Sequence, residues 1–160
     1  MSHKTSSELK LMNALRLLKP TVMWVDSIGE GCRYDAIAVG VDFFSTPAEH
    51  KLSIFEFKNR RANTCKYIRR DGTLYVEWSK VEALAKESKT RGCKTYLVQH
   101  LEDNGEILII EVANELGEIN SKLGRKKNVR SKKTTDFYNN SRVNKLMVEI
   151  NLSDCWSNYA

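Results

Sequence analysis

The sequence predicts a mixed α/β fold in one domain, with a central sheet flanked by helices. Apolar residues recur at helical spacing in two places, each behind a capping box. Short β-prone runs bounded by turn residues lie between and after them. The two patterns alternate along the chain, which is the signature of a sheet layered against helices. The 160 residues suffice for a single domain, 1–160, with a real core.

In chain order, Thr5-Ser6-Ser7-Glu8 is a capping box, and Leu11, Ala14, Leu15 and Leu18 follow on one helical face until Pro20 stops it. Thr21 to Val25 is a short β-prone run, and Gly29-Glu30-Gly31 turns the chain into a strand from Tyr34 to Val41. Leu52 to Lys58 is the next strand. A basic segment follows, and Asp71-Gly72 leads into Thr73 to Val76. Ser79-Lys80-Val81-Glu82 is the second capping box, opening a helix with Val81, Leu84, Ala85 and Ser88 on one face and an end near Arg91-Gly92. Lys94 to Leu101 and Glu106 to Val112 form a hairpin around Asp103-Asn104-Gly105. Ala113 to Leu123 is weakly helical. A basic loop or extension is expected over about 122–144 and a final strand over about 146–152. The order is thus α-β-β-β-α-β-β, without an internal repeat.

No apolar run approaches the roughly 20 residues of a membrane span, and the N-terminus lacks a signal-peptide apolar stretch. The expectation is a soluble, cytoplasmic protein with no membrane partner. Cys32, Cys65, Cys93 and Cys155 form no Cys-x-x-Cys pair, which argues against zinc and for reduced thiols. The net charge of +6 is concentrated in blocks. Lys58, Arg60, Arg61, Lys66, Arg69 and Arg70 come with no acid between them, and so do Lys122, Arg125, Lys126, Lys127, Arg130, Lys132 and Lys133. Two such blocks fit a surface that tracks a phosphate backbone, giving affinity rather than sequence choice. Tyr67 and Tyr75, beside arginines, are the better base-stacking candidates. Trp24, Trp78 and Trp156 read as packing residues, and His50 and His100 receive no role.

The chemistry concentrates in Ser53-Ile54-Phe55-Glu56-Phe57-Lys58. In a strand Glu56 and Lys58 share one face, roughly 6.6–6.8 Å apart at the backbone, with Phe55 and Phe57 on the other. Asp35 opens the preceding strand. An aspartate on one strand and Glu-x-Lys on the next make an acidic site with a lysine beside it, suited to a magnesium ion and a phosphodiester. Asp42 is a rival at a shorter gap. Asp35 is preferred because it begins an uninterrupted apolar run, whereas Asp42 sits at the likely strand end.

A helix with an early Glu, a strand with Asp, a strand with Glu-x-Lys, then helix and strand resembles the PD-(D/E)XK nuclease superfamily. The local likeness is to the small archaeal-type Holliday junction resolvases and related phage and bacterial endonucleases. Glu56-Phe57-Lys58, the basic stretch, Leu74-Tyr75-Val76, the second helix and Gly92-Cys93-Lys94-Thr95-Tyr96-Leu97-Val98 carry it, over roughly residues 5–112. Tyr34 stands where the family name has proline. The resemblance implies a restriction-endonuclease-like core and a metal-dependent DNA endonuclease. It implies Mg²⁺ or Mn²⁺ on Asp35, Glu56 and the Phe57 backbone carbonyl, with Glu8 completing the site and Lys58 acting on the water or the phosphate. It implies DNA as partner, bound by Arg60, Arg61, Lys66, Arg69, Arg70, Arg125, Lys126, Lys127 and Arg130. Branched DNA is a candidate substrate, and a resolvase acting on two strands requires a two-fold homodimer. Lys80 falls where the superfamily places a polar residue near the site, but as a helix-start lysine it reads first as solvated. The alternatives are an inactive nucleic-acid-binding protein on the same fold, a restriction- or repair-type endonuclease, and an assembly protein whose Glu56–Lys58 pair is a surface ion pair.

Overall fold

The computed structural model describes residues 13, 22–26, 36–40, 53–132 and 142–159. The strands are β1 (Val22–Asp26), β2 (Ala36–Gly40), β3 (Ser53–Arg60), β4 (Thr73–Glu77), β5 (Lys94–Leu101), β6 (Glu106–Ala113), β7 (Lys126–Lys132), β8 (Arg142–Asn151) and β9 (Trp156–Ser157). Helix α1 covers Ala62–Asp71 and α2 covers Trp78–Arg91. The predicted first helix lies outside the described residues apart from Asn13, which is helical. Glu8, Asp35 and Asp42 also lie outside them.

The central sheet has the order β1-β2-β3-β5-β6-β9, and β3–β5 is its one parallel pair. A parallel pair needs a long crossover, and the segment carrying α1, β4 and α2 supplies it. β4 leaves the central sheet to pair with β8, so a second, antiparallel sheet of order β4-β8-β7 packs beside it. The mixed α/β fold with a central mixed sheet and helices is therefore as the sequence predicts. The core lies between the sheets and under α2: Ile54, Leu97 and Ile110 meet Leu74, Val76, Val148 and Ile150, with Val81 and Leu84 from the helix. The buried hydroxyls of Ser88 and Thr95 satisfy each other at 2.9 Å.

Strand β3 alternates as expected. Phe55 stacks on Phe57 and on Tyr96, with centroids 6.4 and 5.1 Å apart, on the face away from Glu56. Helix α2 buries Val81, Leu84, Ala85 and Ser88, the four predicted positions. It starts at Trp78 with Glu77 as N-cap, ahead of the expected box. The β5–β6 hairpin is where the turn residues place it.

Three expectations need correction. The basic segment after Lys58 is helical: Cys65 and Ile68 bury one side, Gly72 closes the helix at φ 68°, and Arg69 and Arg70 sit at the negative end of its dipole. The region after Ala113 holds no α-helix, only a 3₁₀ turn at Ser121–Leu123. The basic loop expected over about 122–144 contains a strand, because Lys126–Lys132 pairs along its whole length with β8, and the final strand expected over about 146–152 begins at Arg142. As an outer strand β7 buries little, so its sequence shows none of the apolar alternation that marks a half-buried strand.

Arg69 ties α1 to the β5–β6 hairpin. Its guanidinium donates to both carboxylate oxygens of Asp103 at 2.7 and 2.9 Å, to Glu106 at 2.9 Å and to Asn104 at 2.7 Å. These bonds raise the arginine's pKa further and pull Asp103 below the usual carboxylate range.

Gly117 takes φ 81° in the turn after β6, and a Cβ there would lie 2.7 Å from the Lys89 Cβ and 3.0 Å from the Ala85 carbonyl oxygen. Gly117→Ala should therefore cost about 1–3 kcal/mol through overpacking and a left-handed backbone. Urea unfolding checks this, and an unchanged midpoint would show that the turn does not press on α2.

Candidate active site

A cleft of about 460 Å³ opens between the two sheets, beside the start of α2. Strand β3 contributes Glu56, Lys58 and Arg60, β5 contributes Gln99, and the second sheet contributes Tyr75, Glu77, Lys145 and Met147. Strand alternation explains the first set, since residues two apart along β3 project into the same space. The parallel register sets Lys58 against Gln99 on the neighbouring strand.

Glu56 is only 7% exposed. A carboxylate so far from water needs a compensating donor, and the Lys80 ammonium hydrogen-bonds its Oε1. Lys80 can reach because α2 begins directly at the end of β4, with no intervening loop. At the second sheet's edge, Lys145 Nζ donates to Glu77 Oε1 at 2.7 Å. That bond, with the Lys145 and Lys80 charges, holds the Glu77 carboxyl low against the opposing effect of burial.

Arg60 forms part of the wall. Its Nε donates to Gln99 Oε1 at 2.8 Å and its Nη2 to the Tyr75 carbonyl at 2.7 Å, joining the two sheets. Burial pulls its pKa down to about 10, so it stays cationic at neutral pH. Lys58 lies beside it, exposed at the cleft mouth. Partial desolvation lowers the Lys58 pKa, and the Arg60 and Lys80 charges lower it further, against Glu77 and Glu56. Lys58, Arg60, Lys80 and Lys145 thus outnumber Glu56 and Glu77, and the cleft favours an anion.

The structure sets Glu56 and Lys58 on one face, as strand alternation predicts, and adds Arg60, which was expected in a basic stretch beyond the strand. Lys80, read as solvated, reaches the buried carboxylate instead. Glu77, Gln99 and Lys145 escaped the sequence reading. A glutamine directly after the apolar run Tyr96-Leu97-Val98, within the predicted strand, was the available signal for Gln99. Among the described residues no three His, Cys, Asp or Glu side chains converge on one point. Glu56 offers the hard oxygen donor that magnesium prefers, but by itself it does not make a metal site.

The basic residues divide. Arg69 pairs with the hairpin acids and braces α1 against the β5–β6 turn. Arg61 is exposed at the N-cap of α1. Lys66 and Arg70 lie 5.0 and 5.1 Å from the ring centroid of Tyr67, which is half exposed, and Arg70 also pairs with Asp71 at 2.9 Å. Arg125 precedes β7 and faces Glu149 at 3.5 Å. Lys126 places its ammonium 3.8 Å from the centroid of the Trp78 ring, and Lys127 and Arg130 are exposed along β7.

No family model matches this sequence, and no curated protein matches it. Among solved structures, the chain is similar to Archaeoglobus fulgidus Hjc, a Holliday junction resolvase from an archaeal hyperthermophile. The TM-score is 0.49 at 15% sequence identity, covering 94% of this chain and 86% of that one.

Two substitutions test the cleft's electrostatics. Gln99→Leu leaves the Arg60 Nε–H without its buried acceptor and should cost about 1–3 kcal/mol of stability; a neutral result in urea unfolding would show that water replaces the bond. Lys58→Met removes an ammonium that the fold disfavours, so the Tm should rise. A lower Tm would mean that Glu56 and Glu77 outweigh desolvation and the neighbouring cations.

Proposed function

We propose that this chain is a metal-dependent DNA endonuclease of the PD-(D/E)XK type. The observation that carries the reading is a buried carboxylate, Glu56, in a net-cationic cleft with Lys58 two residues further along the same strand face. The β2–β3 ladder pairs Ala38 with Ser53, Ile37 with Ile54 and Ala36 with Phe55. In sequence, Asp35 directly precedes Ala36 and Glu56 directly follows Phe55. Asp35, Glu56 and the Phe57 carbonyl, with Glu8, would then hold Mg²⁺ or Mn²⁺. Bound there, the ion would polarise the phosphoryl oxygen and lower the pKa of a water.

The chain's own groups do the remainder. Lys58, whose amine is easier to deprotonate than an ordinary lysine's, orients the attacking water or stabilises charge building on the phosphate. Arg60, rigidly held by Gln99 and the Tyr75 carbonyl, fixes a positive charge in the cleft wall. Lys80 orients the Glu56 carboxylate. Arg61, Lys66 and Arg70 extend positive charge along α1. Branched DNA is the candidate substrate, and resolution of a four-way junction would need a two-fold dimer.

The Lys80–Glu56 pair also favours a second reading, in which Glu56 stays with lysine and the protein binds DNA without cutting it. One panel decides between them: single-stranded, duplex, flap and four-way-junction DNA, each with Mg²⁺, Mn²⁺ or chelator. Cleavage with metal and none with chelator is expected. Asp35→Asn, Glu56→Gln and Lys58→Ala should each abolish it while far-UV circular dichroism stays native. Glu8→Gln should sharply reduce turnover if Glu8 serves the metal. Wild-type cutting by Glu56→Gln would sink the site, and binding without cutting by the wild type would select the second reading.

A further inference from the structure

The described cations of the 122–130 stretch do not form one surface. Residues opposite one another in an antiparallel ladder share a face, and successive residues alternate. Strand β7 registers Lys126 with Val148, Lys127 with Met147, Asn128 with Leu146, Val129 with Lys145 and Arg130 with Asn144. Met147 and Lys145 line the cleft, whereas Val148 belongs to the core. Lys127 and Val129 therefore stand on the cleft side of the second sheet, and Lys126, Asn128 and Arg130 on the other side. Side-chain contacts agree: Lys126 covers Trp78, which packs against the core, while Arg125 reaches Glu149 and Asn151, on the odd-numbered face of β8.

We infer that a DNA strand leaving the cleft runs across the open face of the β4-β8-β7 sheet, with Lys127 as its outer phosphate contact. The net positive charge of this face's described residues favours a polyanion. Its two acids, Glu77 and Glu149, are each paired with a cation of the same face, Lys145 and Arg125. Lys127 has no acid opposite it, since its ladder partner is Met147. Tyr75, Met147 and Val129 are half-buried between these charges and give sugars an apolar floor. Because β7 lies one strand beyond β8, the track extends the cleft by about 4.7–4.9 Å. Arg130, on the opposite side, is off the track, and Lys126 serves packing.

This inference rests on the DNA-binding part of the proposed function, and one experiment separates their failures. Anisotropy titrations of a labelled DNA duplex in EDTA, over a range of NaCl concentrations, would compare wild type with Lys127→Ala, Arg130→Ala and Lys126→Ala. Lys127→Ala should weaken binding about fivefold at 0.15 M salt and flatten the log–log salt slope by about 0.9. Arg130→Ala should leave affinity and slope unchanged. Lys126→Ala should lower the Tm through its lost ring contact and leave the slope unchanged. Equal losses for Lys127→Ala and Arg130→Ala, or a larger loss for Arg130→Ala, would overturn the track while DNA binding itself stands. No binding by the wild type would overturn both the track and the function it rests on.

Discussion

Everything at the cleft depends on giving one buried carboxylate a partner away from water. Glu56 sits in the middle of a strand that is buried from Ser53 through Phe57. An isolated ion there would cost several kcal/mol, so a cation has to be brought to it. Lys80 is that cation, and its arrival constrains the chain on both sides. Strand β4 must end and α2 begin without a loop, which makes Glu77 both the last residue of the strand and the cap of the helix. Arg60 then fixes the second sheet against the first through a side-chain amide on β5 and a backbone carbonyl on β4. The seam between two apolar layers becomes a polar slot in which Glu56, Glu77 and Arg60 each have a partner.

What could be read in the sequence was what burial leaves behind. Strand β3, helix α2 and the β5–β6 hairpin carry apolar periodicity or turn residues, and their positions were legible. So was the shared face of Glu56 and Lys58, because it follows from alternation alone. Helix α1 was not legible: it buries little more than Cys65 and Ile68, and its cations mask the period. Strand β7 was hidden for a related reason, since its structure comes from backbone pairing with β8. Lys80 could not be placed because the sequence puts it at a helix start, and only the absence of a loop turns that start toward β3. Asp35 and Glu8, the other half of the expected site, lie outside the described residues.

Charge of one sign does several different jobs in this molecule. Arg69 is a cross-brace between a helix and a hairpin. Arg60 is a half-buried strut whose guanidinium gives up solvation for two fixed acceptors. Lys126 is a lid on an indole ring. A count of basic residues would have assigned all three to a ligand. Partner atoms distinguish them, and those come from segments distant in sequence, such as Asp103 for Arg69 and Gln99 for Arg60.

Strand β7 is one of the two outer strands of its sheet among the described strands. An outer strand presents unsatisfied backbone groups, and a flat, apolar one invites a strand from another molecule to add on. Lysine and arginine along β7 raise the electrostatic and desolvation cost of such an addition. The charges that would hold a polyanion on one side of this sheet thus also keep its edge from seeding aggregation. Neutralising the whole strand would carry a colloidal penalty that substituting one lysine at a time avoids.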